Sequence, residues 1–184
     1  MHKRFSNPML AVVKRLLLIG LVMALAAAPA AFAQRITAGQ ASIQALDAGV
    51  LVQVNAIRTA HGLLPLKPNA MLAVAAAQHS TEMLADGYFA HNSNNGAPFW
   101  NRLARYWGTA SNGWSVGENL LWSSPGVDPS AALRMWMTSP EHRKNILTAR
   151  WREIGIAAVH AESAPGTFGG RPVTIITTDF GVRH

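Results

Sequence analysis

Trp136-Met137-Thr138-Ser139-Pro140-Glu141-His142-Arg143-Lys144-Asn145-Ile146-Leu147 is the stretch that says most about the fold of this chain. The Ser139-Pro140 pair predicts the N-cap and first residue of a short helical turn. His142 then lies at the mouth of that turn, where its imidazole is available to ligate. The alternative is that His142 caps the preceding helix, since cationic side chains favour helix C-termini.

Two upstream segments carry similar chemistry, Phe89-Ala90-His91-Asn92-Ser93 and Gly117-Glu118-Asn119-Leu120. Two histidines and a carboxylate, each in a segment flanked by turns, are what a small polar cleft or a metal site needs. Each residue also has a plainer interpretation. His91 alone would be a surface-loop histidine, and Glu118, placed at the end of a strand or turn, would brace neighbouring main-chain amides.

Together the three segments resemble the CAP superfamily, which includes cysteine-rich secretory proteins, venom antigen five and plant pathogenesis-related class 1 proteins. A Trp-x-x-Ser-Pro-x-His-Arg-x-Asn-Ile-Leu run is typical of its bacterial, SCP-like branch. The resemblance implies an α+β fold, an α-β-α sandwich with a three- or four-stranded, mainly antiparallel sheet between helical layers. It also implies that His91, Glu118 and His142 line one central cavity. From the residue types we expect His91 and His142 to be ligands of a divalent metal, with Zn²⁺ as the candidate.

The chain departs from the eukaryotic pattern of this superfamily in two ways. It has no cysteine, whereas the eukaryotic relatives are stapled by disulfides. Ser139 also stands where those relatives have a second cavity glutamate, three residues after the helix tryptophan. Glu141 is the nearest acid, and we expect it to point elsewhere because adjacent helical residues do not share a face.

The first 33 residues predict a cleaved signal peptide. A basic region is followed by an apolar run over 16–28 and by Ala31-Phe32-Ala33, a small-residue cleavage box before Gln34. The apolar run is too short to span a bilayer as a helix. We therefore expect an exported protein, periplasmic or secreted, with one SCP-like domain over 34–184 and no stable membrane span after cleavage.

Charge after cleavage gives no support for nucleic-acid binding. Four of the 16 lysines and arginines lie in the leader, which leaves 12 against nine acidic residues. Arg143-Lys144 and Arg150-Arg152 are the remaining basic pairs, and they are typical of a solvated helix face. The partner expected instead is a lipid, peptide or other cell-envelope ligand.

Periodicity predicts helices before strands. Helices are expected over 43–61, 71–86, 98–107 and 130–137, because apolar residues recur at helical spacing or because Pro, Asp and Gly mark the ends. Pro68 is interpreted as the first residue of the second helix. Strands are expected over 154–159 and 173–178, which are β-branched and bounded by turns.

Two functions fit these residues. The first is a binding module whose cleft takes a divalent metal, lipid or peptide without turnover. The second is a metal-dependent hydrolase with His91 and His142 on the metal and Glu118 as general base. A catalytic zinc normally has three protein ligands, so using Glu118 as a ligand would leave no separate base. The lack of a separate general base favours the binding module over the hydrolase.

Overall fold

The structure is a computed structural model that describes residues 40–108 and 113–184. The predicted signal peptide and its cleavage site lie outside the described residues, as does most of the Gly/Ser/Asn loop before Trp114. Residues Ile43–His184 form one compact unit.

Five helices and four strands build the described part of the chain. The helices are α1 (40–60), α2 (Ala70–Asp86), α3 (Phe99–Trp107), α4 (Pro129–Thr138) and α5 (Pro140–Ile146). The strands are β1 (Lys67–Pro68), β2 (Trp114–Ser123), β3 (Glu153–Ala164) and β4 (Arg171–Arg183). A short 3₁₀ helix, Gly166–Phe168, lies in the connection between β3 and β4.

The four strands form one sheet in the order β1-β3-β4-β2. Both long pairings, β3 with β4 and β4 with β2, are antiparallel, and the two-residue β1 pairs in parallel with β3. The expected α+β class with a mainly antiparallel sheet is confirmed. The order leaves β2 at one edge of the sheet, and this edge position shapes the functional site.

Helices cover both faces of the sheet, as a sandwich requires. One core combines α1, α4 and α5 with residues of β2, β3 and β4 that include Leu121, Ala158 and Ile176. The other face packs against α2 and α3. Trp136 of α4 is only 1% exposed, and its indole Nε1 donates to the Leu120 carbonyl at 3.0 Å. The α4 helix is thereby fixed to the edge strand.

The predicted helices are found, with one correction at the start of α2. Pro68 is not its first residue, because Pro68 pairs with Ile154 in β1. Asn69 is the N-cap instead, and its Oδ1 accepts from the amides of Met71 and Leu72. At the other end Gly87 adopts φ 71°, the left-handed conformation that terminates helices.

The strands differ more from their predictions. Both β3 and β4 extend beyond the expected ranges. Glu118 lies in the middle of β2, not at a strand end or turn. Gly117 and Asn119 are poor strand formers on their own, so the pairing of β2 with β4 along its whole length overrides the local preference.

Candidate functional site

A cleft of about 640 Å³ opens along the free edge of β2. Its walls come from both helical layers, since the edge strand is where the two layers approach each other. The loop after α2 and the start of α3 form one wall, and α5 with the segment after it forms the other. The residues that line the cleft include His91, Phe99, Trp100, Glu118, Glu141, His142, Lys144, Asn145, Arg150 and Trp151.

His91 reaches the cleft from the loop that follows α2. That loop is anchored beneath it, because the buried His79 on α2 has its ring Nε2 2.9 Å from the Ala90 carbonyl. His91 Nδ1 lies 2.8 Å from Glu118 Oε1, while its side chain remains 52% exposed. The Nδ1–H therefore donates to the carboxylate, and the opposite ring nitrogen, Nε2, is left available to the cleft.

Glu118 lies beneath His91 with no exposed side-chain surface. Its second oxygen, Oε2, pairs with the guanidinium of Arg102, a buried residue of α3. Burial raises the pKa of Glu118 to about 7, and the Arg102 charge opposes that rise. Both carboxylate oxygens are thus engaged, one by an imidazole and one by a guanidinium.

Asp179 is a second buried carboxyl beside Glu118. The two residues are direct cross-strand partners between β2 and β4. Burial, and then the Glu118 charge, raise the pKa of Asp179 well above its usual range. Arg102 contacts Glu118 directly, whereas among the described residues no other donor group reaches Asp179, whose side-chain hydrogen bond is with Glu118 itself. The arrangement therefore favours a proton on Asp179 and the ionised form of Glu118.

His142 reaches the same cleft from α5, in the opposite layer. Asn119 Nδ2 donates to the His142 carbonyl at 3.1 Å and ties this turn to β2. Burial, and then the neighbouring His91, lower the pKa of His142. Burial, and then the Arg102 charge, lower the pKa of His91. Both imidazoles are therefore neutral at pH 7, the protonation state that ligates metals.

Asn145 locks α5 against the edge strand. Its Nδ2 donates to the Glu118 carbonyl and to Asn119 Oδ1, both at 3.0 Å, and its Oδ1 lies 3.2 Å from the indole nitrogen of Trp151. A Cβ at Gly117 would meet Asn145 Oδ1 at 2.5 Å. Only glycine lets the helix come this close, which explains the Gly-Glu-Asn sequence in physical terms.

The structure thus brings together His91, Glu118 and His142, the three residues singled out from the sequence. Glu141 is exposed and is among the residues that line the cleft, but within the described residues it forms no three-residue donor group with the two histidines. Ser139 does not line the cleft and supplies no replacement for a second glutamate.

The donor groups on the cleft wall limit how a metal ion could be held there. Within residues 40–108 and 113–184, no group of three or more His, Cys, Asp or Glu side chains is arranged to hold a metal ion. Both Glu118 oxygens are engaged elsewhere, so it does not supply the third ligand that a catalytic zinc requires. Among the described lining residues, the imidazoles of His91 and His142 remain as candidate donors.

The sequence alone did not reveal Arg102, Asp179 or Asn119. Asp179 had a detectable pattern, since it is a charged residue in the apolar strand after Thr178 and before Phe180. Arg102 had no such sequence pattern, because an arginine in a short helix is usually exposed to solvent.

A match between the sequence and a family model identifies the family of this chain. The model of the cysteine-rich secretory protein family, CAP, matches residues 51–175, a span that includes His91, Glu118 and His142. The chain belongs to this family.

Two Bacillus proteins are similar to this chain in sequence or structure, and a Borrelia protein shares its fold. The uncharacterized protein YkwD of Bacillus subtilis is 31% identical over 128 residues, which are 69% of this chain and 48% of YkwD. An extracellular SCP-domain protein of Bacillus anthracis is similar in structure, with TM-score 0.57 and 27% identity over 77% of this chain and 43% of that one. An outer surface protein of Borrelia burgdorferi shares the fold, with TM-score 0.58, 17% identity, and coverage of 73% of this chain and 90% of that one. The chain thus spans less than half of the two Bacillus proteins.

In the described part of the chain, no helix combines the length and apolar character needed to cross a bilayer.

Proposed function

We propose that this protein is an exported binding module whose edge-strand cleft holds a divalent cation and a ligand without turnover. Zinc is the first candidate cation. His91 Nε2 and one ring nitrogen of His142 would hold it, and the cation would supply an electrophilic contact for the ligand. The remaining positions are open to water or to the ligand itself.

One observation carries this proposal, the double engagement of Glu118. A carboxylate that accepts the Nδ1–H of a histidine fixes the tautomer and orientation of the ring and raises the basicity of Nε2. Glu118 is held in turn by Arg102, so the imidazole orientation does not depend on the cleft being filled.

The same engagement weakens the hydrolase hypothesis. A general base must reach the proton that it removes, and Glu118 is buried beneath His91 with both oxygens occupied. Glu141 is on the wall, but two imidazoles remain one ligand short of the usual catalytic zinc site. The geometry therefore favours binding over turnover.

Export is part of the proposal and rests on the predicted signal peptide over 1–33. The similar Bacillus anthracis protein is described as extracellular, and the similar Borrelia burgdorferi protein as an outer surface protein. We place this chain in the periplasm or outside the cell, with a peptide, lipid or cell-envelope ligand and not a nucleic acid.

Calorimetric titration with zinc at pH 7.5 tests the proposal. The wild-type protein should bind one zinc, and His91→Ala and His142→Ala should each abolish binding while circular dichroism shows an unchanged fold. Glu118→Gln should weaken binding about 10- to 100-fold, since it removes the orienting group. His61→Ala is the matched control, because His61 is exposed and outside the cleft wall. Unchanged zinc affinity in both cleft histidine variants would overturn the proposal.

A further inference from the structure

The edge strand β2 presents part of its main chain to the cleft. In an antiparallel pair, alternate residues direct both their amide and their carbonyl toward the partner strand. The His184 amide donates to the Gly113 carbonyl at 3.0 Å. Gly113 and His184 immediately adjoin Trp114 and Arg183, which are partners in the β2–β4 register, so Gly113 directs its carbonyl toward β4. The main-chain amides and carbonyls of the odd-numbered residues of β2 therefore point toward β4, and those of the even-numbered residues point away from the sheet.

Two side-chain contacts confirm this assignment and close part of the edge. Asn145 donates to the Glu118 carbonyl, and Trp136 donates to the Leu120 carbonyl, both at 3.0 Å. Outward carbonyls in the C-terminal half of β2 are thus capped by α5 and α4. Such capping is a way for proteins to prevent unwanted pairing at a sheet edge.

The N-terminal half of the same edge lacks these caps. The amide and carbonyl of Val116 point outward by the same alternation, and so does the Glu118 amide. Within residues 40–108 and 113–184, no hydrogen bond from outside β2 reaches these three groups. Val116, Gly117 and Glu118 all line the cleft. An unpaired donor and acceptor at a sheet edge form a template for an added strand.

The two cleft walls differ in chemistry. Phe99 and Trp100 lie on the α3 wall, with Trp100 49% exposed. The α5 wall carries the exposed cations Lys144 and Arg150, and Glu141 is the one exposed carboxylate among the described lining residues. Successive side chains of a β-strand point to opposite faces. A strand added to β2 would direct one set of side chains to the aromatic wall and the other set to the cations.

We infer that the ligand of this cleft is a short acidic peptide segment in extended conformation, which adds to the sheet as a fifth strand at Val116 and Glu118. Its main chain pairs with the uncapped half of β2. Its apolar side chains contact Phe99 and Trp100, and its alternating carboxylates face Lys144 and Arg150. The inference rests on the proposed function only in taking this cleft as the ligand site.

Fluorescein-labelled pentapeptides test the mode of binding on the wild-type protein by fluorescence anisotropy. Val-Glu-Val-Glu-Val should bind at least tenfold more tightly than Val-Lys-Val-Lys-Val. Two further peptides carry N-methyl groups on either the valines or the glutamates. Strand addition uses amides of only one alternation, so one methylated peptide should lose binding at least tenfold and the other should keep it. Equal binding of both methylated peptides, or no measurable binding of the parent peptide, would overturn the inference.

Two pairs of variants locate the peptide on the protein. Lys144→Glu should reverse the preference toward the lysine peptide, whereas Arg143→Glu makes the same charge change on α5 outside the cleft and should preserve it. Val116→Pro removes an outward amide without removing a β2–β4 hydrogen bond. Val116→Pro should lower the affinity for the glutamate peptide at least tenfold relative to Val116→Ala. An unchanged preference in Lys144→Glu would contradict the placement.

Zinc titration of the same samples separates this inference from the proposed function. Peptide binding with the expected alternation but without zinc binding would sustain strand addition and overturn the cation site. Zinc binding without peptide binding would sustain the cation site and overturn strand addition. If Val116→Pro fails to fold, the methylated peptides on the wild-type protein still decide the question.

Discussion

Glu118 of β2 and Asp179 of β4 are direct cross-strand partners, and both carboxyls are buried on the sheet face that packs against α2 and α3. Arg102 neutralises Glu118, while the hydrogen bond between Asp179 and Glu118 requires a proton on one of the two carboxyls. Two carboxyls beside one guanidinium cannot both ionise at low cost in a buried position. This buried group supports the imidazole of His91 from below.

Replacing Asp179 by asparagine should change how stability depends on pH. The fold raises the pKa of Asp179 above its usual 3.8, so the folded state favours the neutral acid and wild-type stability is lost as pH rises above that value. The asparagine amide would be neutral throughout. The stability gain of Asp179→Asn over wild type should therefore be larger at pH 8 than at pH 5 in urea denaturation. Equal gains at the two pH values would contradict the raised pKa.

Removing the Arg102 charge should be costly. Arg102→Met leaves the Glu118 carboxylate buried without its counter-charge, and loss of one partner of a buried pair costs about 3 to 5 kcal/mol. Arg105→Met on the same helix is the control, because Arg105 is exposed. Combining Arg102→Met with Glu118→Gln should restore part of the loss. Urea denaturation at pH 7.5 compares these three variants with the wild type, and a cost for Arg102→Met no larger than for Arg105→Met would rule out the buried pair.

Gly117 should tolerate no side chain. The added methyl of Gly117→Ala would meet Asn145 Oδ1 at 2.5 Å and Trp151 Cζ2 at 2.9 Å, which forces α5 away from β2 and costs about 1 to 3 kcal/mol. Gly126→Ala is the control, since the nearest atom would be 3.5 Å away. Its cost should stay within about 0.5 kcal/mol. Thermal unfolding distinguishes the two, and zinc affinity should fall only in Gly117→Ala.

Zinc affinity should resist mild acid. Protonation of imidazole competes with metal, and an unperturbed histidine would lose affinity as pH falls through about 6.5. Burial lowers the pKa of both His91 and His142, so the neutral, binding form persists to lower pH. Calorimetry should show nearly equal zinc affinity at pH 7.5 and 6.5 and a clear fall at pH 5.5. A fall already complete at pH 6.5 would refute the lowered pKa values.

The helices were predictable because their information is local. Asp128 precedes Pro129 in the sequence, and in the structure its Oδ1 accepts from the Ala131 amide as an N-cap. The strand β2 was not predictable in the same way, since Gly117 and Asn119 disfavour strands and only the distant β4 imposes the pairing.

The candidate site was predictable to the extent that its residues sit in recognisable motifs. His91, Glu118 and His142 stand in three such segments, and the resemblance placed them together. Arg102 and Asp179 were missed because their importance comes from contact with Glu118 across 16 positions of sequence in one case and from sheet register in the other. Pairings of this kind exist only once the chain is folded.

A crystal structure of the protein grown with zinc, with anomalous differences measured at the zinc edge, tests the joint role of His91 and His142 most directly. One peak should lie about 2.0 to 2.1 Å from His91 Nε2 and from a ring nitrogen of His142, with Glu118 still bound to His91 Nδ1 and Arg102. No peak between the two imidazoles, or a zinc ion coordinated by the Glu118 carboxylate, would contradict the proposed cation site.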